Sequence, residues 1–318
     1  MYGNIILSSP CITNKHPYMK RLFLAITFVA LATGTLNAQQ EWFDKYKKLL
    51  NDGDTIALKD CIYQWEKAEP NSPDVIAAWY NYYVKRAMEE VLSLSTVKPA
   101  DGEQYLELQN DTTKNVVGYL SGQTEYNDKL MQIAYAKIDE GIRKYPDRID
   151  LPFGKVHMLL KQGLYDDALS QLSKVIEHSK TNRNQWLWTL NKPFADGKEF
   201  LIDTMQDYFN QLLDINDNKP AYELNEIVLA AYPEDIRLRS NKASLLAMKG
   251  NYAEALPLFA SIHKDAPEDD IVAFNLAICY EKTGDKKNAI ANYQALANSK
   301  NADIATSARQ ALHSLKGK

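Results

Sequence analysis

A spacing of 34 residues recurs in the last third of the chain, where it separates Gly250 from Gly284 and Pro233 from Pro267. An alanine stands five residues after each glycine and an aromatic residue stands nine residues after it; these are Ala255, Phe259, Ala289 and Tyr293. Apolar residues at helical spacing precede each glycine, so each period predicts a helix, a tight turn and a second helix. Glycine suits the turn because it adopts a positive φ without steric cost, and proline ends the second helix.

The same spacing extends upstream, where Gly53 and Gly163 hold the turn position and Asn216 replaces glycine once. We expect about six repeats, at residues 39–72, 73–148 with an insertion, 149–182, 202–235, 236–269 and 270–303. Residues 304–315 predict a closing amphipathic helix, which a repeat array needs because its last repeat would otherwise expose an apolar face.

One period carries the pattern most completely, with Phe274, Leu276, Ala277, Tyr280, Gly284, Ala289 and Tyr293. In these residues the chain resembles the tetratricopeptide repeat family, although Ala277 stands where that family usually has glycine. The resemblance implies an all-α fold, a right-handed superhelical α-solenoid of about six helix-turn-helix repeats with a C-terminal capping helix, covering residues 39–318. It also implies a protein that binds other proteins.

Residues 1–38 predict a secretory signal peptide, because Lys20 and Arg21 precede a short apolar run that ends with the small residue Ala38. The alternative is a buried amino-terminal helix. The run is too short to span a bilayer, which takes about 20 residues. Translation starting at Met19 is a further hypothesis. Since Cys11 precedes the apolar run, no cysteine stands at the cleavage point, and we expect a periplasmic or envelope-associated protein that is not a lipoprotein.

Removing Lys15, Lys20 and Arg21 with the leader leaves 34 basic residues against 41 acidic ones, a net charge of −7. Nucleic acids are bound by clustered Lys and Arg, so this balance argues against a nucleic-acid partner. The two remaining cysteines, Cys61 and Cys279, are five repeats apart, which predicts two buried free thiols rather than a disulfide.

The sequence contains no recognisable pattern for catalysis, a cofactor or a metal. His157, His178, His263 and His313 are scattered singly, whereas two metal ligands on one helix face need a spacing of three or four residues. Glycine-rich phosphate loops and nucleophile elbows are also missing from the sequence. Acidic pairs such as Asp269-Asp270 are interpreted as helix caps. We therefore expect a protein that is not an enzyme and uses no cofactor.

In tetratricopeptide repeats the first helices line the concave face, and the resemblance implies that partner contacts lie there. The candidate contact residues are Phe153, His157, Asn210, Arg237, Asn241, Ser244, Phe274, Asn275 and Ile278. The three asparagines recur nearly periodically, and an Asn amide can donate and accept at once, as the backbone of an extended peptide requires. The alternative interpretation is a set of solvated polar positions.

Two insertions interrupt the repeats, near residues 93–127 and 183–201. The first is polar and rich in turn residues, and a loop of this length within a compact array is usually functional or flexible. The second contains Trp186 and Trp188, which could stack on a sugar ring or anchor a partner; alternatively, they pack into the gap between repeats.

Three functional hypotheses follow. The first is a protein-interaction scaffold of the cell envelope that binds a protein or an extended peptide on its concave face. The second is a carbohydrate or small-ligand binder that uses Trp186 and Trp188. The third is an adaptor subunit that regulates an envelope enzyme or a secretion machine.

Overall fold

The computed structural model describes residues 35–99, 104–213, 215 and 218–316. Residues 1–34 of the predicted leader, with Met19 and Cys11, lie outside the described residues, as does Asn216. The described chain forms two compact units. The N-terminal unit contains residues 35–162 together with Gln185–Phe194, and the C-terminal unit contains Gly163–Asn184 and the chain from Ala195 onward. The boundary at Gly163 lies within the predicted repeat 149–182.

The helices of the N-terminal unit follow the repeat pattern. They are α1 (Thr35–Asp52), α2 (Thr55–Ala68), α3 (Pro73–Ala87), α4 (Asp128–Lys144) and α5 (Asp150–Lys161). Helices α3 and α4 pack against each other as a hairpin, and residues 88–127 lie between them in the chain. Their shared core includes Tyr80, Val84, Ala134 and Ile138.

The first insertion is a three-stranded antiparallel sheet and not the predicted loop. Strands β1 (Met88–Ser95), β2 (Tyr105–Gln109) and β3 (Val116–Tyr126) lie in the order β1-β3-β2. The interpretation as a polar, turn-rich loop overlooked the alternation of apolar and polar residues along β1, a pattern of period two that is typical of a strand with two different faces. The strand register of β1 with β3 is continuous from the pair Met88 and Tyr126 to the pair Ser95 and Tyr119.

The C-terminal unit is helical in its described residues. Its helices are α6 (Tyr165–Asn182), α7 (Gly197–Leu213), α8 (Lys219–Ala231), α9 (Ile236–Met248), α10 (Tyr252–Asp265), α11 (Asp270–Lys282), α12 (Lys286–Leu296) and α13 (Ala302–Lys316). Consecutive helices from α7 to α13 pack on one another, as expected for stacked helix-turn-helix repeats. Helix α7 begins within the predicted second insertion.

The turns behave as the 34-residue spacing predicts. Gly53, Gly163, Gly250 and Gly284 all adopt positive φ angles, between 71° and 88°. A Cβ atom at Gly250 would meet nothing within 4 Å, so the backbone conformation and not the available space requires glycine there. Caps recur with the same spacing, because the carboxylates of Asp235 and Asp269 each accept hydrogen bonds from two backbone N–H groups at the starts of α9 and α11.

The cores also agree with the repeat pattern. Ala255 and Ala289, where two helices cross, are completely buried, and Ile304 of the capping helix α13 packs on the core of the last repeat. Cys61 and Cys279 are buried free thiols, as predicted, and burial raises the pKa of Cys279 to about 12. Within the described ranges, no helix is both long and apolar enough to cross a membrane.

Candidate functional site

The amide of Asn241 is used within the C-terminal unit. Its Nδ2 atom donates to Gln206 Oε1 at 2.8 Å and to Asn225 Oδ1 at 3.2 Å, and Asn225 Nδ2 donates to the Leu238 carbonyl at 3.0 Å. The side chains of Gln206, Asn225 and Asn241 are buried, so this network joins α7, α8 and α9 through satisfied polar groups. Asn210 is half-buried and accepts from Gln206 Nε2 at 3.2 Å. The network thus stabilises the packing of three helices.

Four further candidate contact residues of α9 and α11 are also buried. Phe274 and Ile278 lie in the hydrophobic core of the last repeat, where the Phe274 ring packs edge-on against Tyr293 at 5.6 Å between centroids. Asn275 and Ser244 have no exposed surface, and the Ser244 hydroxyl has no hydrogen-bond partner among the described residues. Partner binding through these four side chains stays a prediction, and their burial gives it no support.

Arg237 forms ion pairs with three carboxylates. Its guanidinium contacts Glu199 Oε1 at 2.8 Å, Asp203 Oδ1 at 2.7 Å and Asp235 Oδ2 at 2.8 Å. These bonds tie the start of α9 to the first turns of α7, and partial burial raises the pKa of Asp203. An open cavity of about 460 Å³ lies beside Arg237, lined also by Lys198 and residues 231–236. The cluster carries an excess of negative charge.

Phe153 and Trp186 are buried in the N-terminal unit, whereas His157 on α5 is exposed and Trp188 is half-buried. Trp186 is only 2% exposed, so its ring is not open for stacking on a sugar. Trp188 packs edge-on against Phe194, with 5.7 Å between ring centroids. These contacts favour the packing interpretation of the two tryptophans. A glycan ligand remains a prediction without structural support.

A buried ion cluster, which no sequence pattern predicts, holds the tryptophan segment, Gln185–Phe194. Arg148 is 1% exposed; its Nη2 atom lies 2.7 Å from Asp74 Oδ1 and 2.8 Å from Asp150 Oδ2. Arg148 also donates to Asn191, and the Leu190 N–H donates to Asp74 at 3.0 Å. Leu190 and Asn191 adopt positive φ angles, which this bonding stabilises. The tryptophan segment is therefore fixed in the packing of the N-terminal unit.

An exposed group of apolar side chains of the N-terminal unit lies on the sheet. Five leucines share one face, because directly opposite residues of neighbouring strands point to the same side; they are Leu92, Leu94, Leu106, Leu108 and Leu120. We call this the leucine face. Leu94 and Leu106 both lie opposite Leu120 of the central strand. The signal available in the sequence was the alternation Val-Leu-Ser-Leu-Ser along β1.

The leucine face is open to solvent. Leu92, Leu94 and Leu106 are 76%, 68% and 66% exposed, and Leu108 is 37% exposed. The central strand contributes Gly122 opposite Leu92, and a Cβ atom at Gly122 would meet nothing within 4 Å. The glycine therefore leaves a shallow gap among the leucine side chains. On the other face Tyr105 packs edge-on against Tyr119, at 5.5 Å between ring centroids.

In the part of the chain that the structure describes, no group of three or more His, Cys, Asp or Glu side chains is arranged to hold a metal ion. Among known protein families, the tetratricopeptide repeat model matches residues 246–312. The matched range covers α10 to α12, most of α13 and the end of α9. No curated protein sequence matches the chain significantly.

Solved structures similar to this chain share little sequence with it. A tetratricopeptide repeat protein from Parabacteroides merdae ATCC 43184 is 13% identical, with 89% of this chain and 88% of that chain covered and a TM-score of 0.37. YrrB, described as a tetratricopeptide repeat protein with an unusual peptide-binding site, is 16% identical over 56% of this chain and 83% of its own, with a TM-score of 0.37. At these scores the likeness carries no functional argument.

Proposed function

We propose that this protein, whose residues 246–312 are tetratricopeptide repeats, is a non-catalytic adaptor that binds a protein partner. The observation that carries this proposal is the leucine face of the β1-β3-β2 sheet. The partner is a polypeptide that covers Leu92, Leu94 and Leu106. The proposal does not rest on the candidate residues of the concave face, most of which are buried.

A contiguous patch differs from scattered apolar residues, which are normal on protein surfaces. Ile56 on α2 is 83% exposed but is a single residue, whereas the leucine face gathers five leucines on three adjacent strands. Burying one leucine completely contributes about 1.5–3 kcal/mol. Scaled by the exposures of its four most exposed leucines, covering the face would contribute about 4–7 kcal/mol before the entropy cost of binding. A free surface of this kind fits a binding site better than a site of catalysis.

We place the adaptor in the cell envelope, because residues 1–38 have the pattern of a secretory signal peptide. Fractionation of the native host, followed by amino-terminal sequencing, tests this location. We expect the mature protein in the periplasmic fraction with Gln39 at its start. A cytoplasmic protein that retains residues 20–38 would contradict the envelope location without affecting the role of the leucine face.

Site-specific photo-cross-linking in the native host tests the binding surface. Leu94 and Leu106 are replaced, one at a time, by p-benzoylphenylalanine, and irradiated cells are examined for polypeptide adducts by mass spectrometry. Ile56 is the matched control, because it is a large, exposed apolar residue of the same compact unit. We expect the same adduct from Leu94 and Leu106 and none from Ile56. Equal adducts at all three positions, or no polypeptide adduct at the two leucines, would refute the proposal.

A further inference from the structure

Strand β1 forms one open edge of the sheet. Its eight residues, Met88–Ser95, pair continuously with β3 on one side, and no described strand pairs with them on the other. The outer side of β1 therefore presents a row of backbone N–H and C=O groups at the spacing that another strand requires. Leu92 and Leu94, the two leucines of β1, belong to the leucine face.

Several of the features that protect a sheet edge are missing from β1, whose only charged residues are Glu89 and Glu90 near its start. Residues 88–95 contain no proline and no lysine, and the register shows no bulge. The opposite edge, β2, is different, because it has five residues and its register shifts between Leu108 and Gln109. A short, irregular edge discourages pairing, while a long, regular edge accepts it. Pairing with a new strand is therefore favoured at β1.

The charges beside this edge indicate what the new strand carries. Glu89 of β1 lies directly opposite Glu125 of β3, and neither carboxylate forms an ion pair within the described residues. Like charges directly opposite each other destabilise a sheet. Glu90 follows on the leucine face and accepts a hydrogen bond from Thr124 Oγ1 at 2.8 Å. A positive charge next to Glu89 and Glu90 would offset this local excess of negative charge.

We propose that the partner adds an extended segment to the outer edge of β1, antiparallel to it, as a fourth strand of the sheet. The inference rests on the proposed function and names the chemistry of the partner. Two apolar side chains, separated by one residue, lie opposite Leu94 and Leu92 and extend the leucine face. Basic side chains lie opposite Glu90 and Glu89. In the partner's own direction the segment reads apolar, any, apolar, any, basic, basic.

A synthetic octapeptide tests this pairing directly. The probe is fluorescein-labelled Thr-Leu-Thr-Leu-Thr-Lys-Lys-Thr-amide, which matches β1 in length, and binding to the full-length protein is measured by fluorescence anisotropy at low ionic strength. A peptide with both lysines changed to glutamate is the charge control, and we expect it to bind about tenfold more weakly. The protein variant Glu89→Lys/Glu90→Lys should reverse this preference, because its edge is positive and attracts the glutamate peptide. Both positions are exposed and tolerate the change.

N-methylated peptides separate strand pairing from general apolar binding. Methyl groups are placed on the amides of every second residue, in two complementary sets, so that only one set removes the N–H groups that face β1. We expect one peptide to lose at least about tenfold in affinity and the other to bind like the parent. Equal binding by both methylated peptides would overturn strand addition and leave binding to the leucine face in place.

Three further results would overturn this inference. No binding of the octapeptide, together with polypeptide adducts at Leu94 and Leu106, would reject the strand chemistry but retain the adaptor. A dimer in light scattering that Leu92→Asp dissociates would identify a second copy of this chain as the occupant of the edge. Absence of both peptide binding and adducts would reject the inference and the proposed function together.

Discussion

Replacing Arg148 by methionine removes the only cation of the buried cluster that holds the tryptophan segment, and it preserves most of the apolar stem. Asp74, 4% exposed, then keeps its carboxylate without a counter-charge, and Asn191 loses its donor. Breaking a buried ion pair by removing one partner costs about 3–5 kcal/mol. Because Asp150 is more exposed than Asp74, its contribution is smaller, and we expect the free energy of unfolding to fall by about 3–5 kcal/mol in total.

Urea denaturation, followed by far-ultraviolet circular dichroism and tryptophan emission, measures this loss. The control is Lys144→Met, which removes an exposed ion pair with Glu140 and should leave the unfolding midpoint unchanged. Asp74→Asn and the double variant Arg148→Met/Asp74→Asn complete a cycle. We expect the double variant to lose less stability than the sum of the two single changes, by about 0.5–3 kcal/mol. Additive losses, or an Arg148→Met variant as stable as the control, would refute the buried-pair interpretation.

Gly250→Ala should reduce the free energy of unfolding by about 1–2 kcal/mol, because φ is positive at this position although the surrounding space is open, and Gly250→Asn should lose less stability. Thermal denaturation compares the two variants with the original protein, and equal stability of all three would contradict the backbone argument. Asn241→Leu should cost about 1–3 kcal/mol in urea denaturation, since it leaves two buried amides short of a partner, and a neutral result would contradict the network. Leu94→Ser should weaken binding of the dye ANS without shifting the midpoint of urea denaturation, because this leucine is exposed; a lowered midpoint would show that it packs. The Cys279 thiol, with a pKa raised to about 12 by burial, should stay unreactive towards Ellman's reagent at pH 8 until denaturant is added. In a protein that starts at Gln39, and therefore lacks Cys11, fast reaction of both thiols before denaturation would refute this burial.

The repeat spacing predicts local structure well because the turn and the helix crossing depend on neighbouring residues. A positive φ at Gly284 and a buried alanine at Ala289 follow from the steric properties of those residues alone. The capping helix, which contains Ile304, is predictable for a similar reason, since an array must cover its last apolar face. Periodicity therefore gives the helices and their order.

The candidate contacts depend on which helix covers each side chain, and that information is not local. The amide of Asn241 has the donor and acceptor that a peptide clamp requires, but it forms hydrogen bonds with residues that lie 16 and 35 positions away in the chain. The pair of Arg148 and Asp74, 74 residues apart, is likewise formed only by the packing of the N-terminal unit. The sheet was missed for a different reason, because its alternating pattern occupies short stretches between turn residues.

A backbone hydrogen bond closes the sheet at the end that joins the helices. Helix α3 passes directly into β1, one residue separates β3 from α4, and that residue, Asn127, donates its N–H to the Ala87 carbonyl at 2.8 Å. For the helical hairpin, the whole sheet thus occupies the place of an ordinary tight turn. An insertion of this kind can be lengthened, shortened or exchanged during evolution while the two helices that flank it keep their packing. New binding specificity can arise at this position without any change to the helices that carry it.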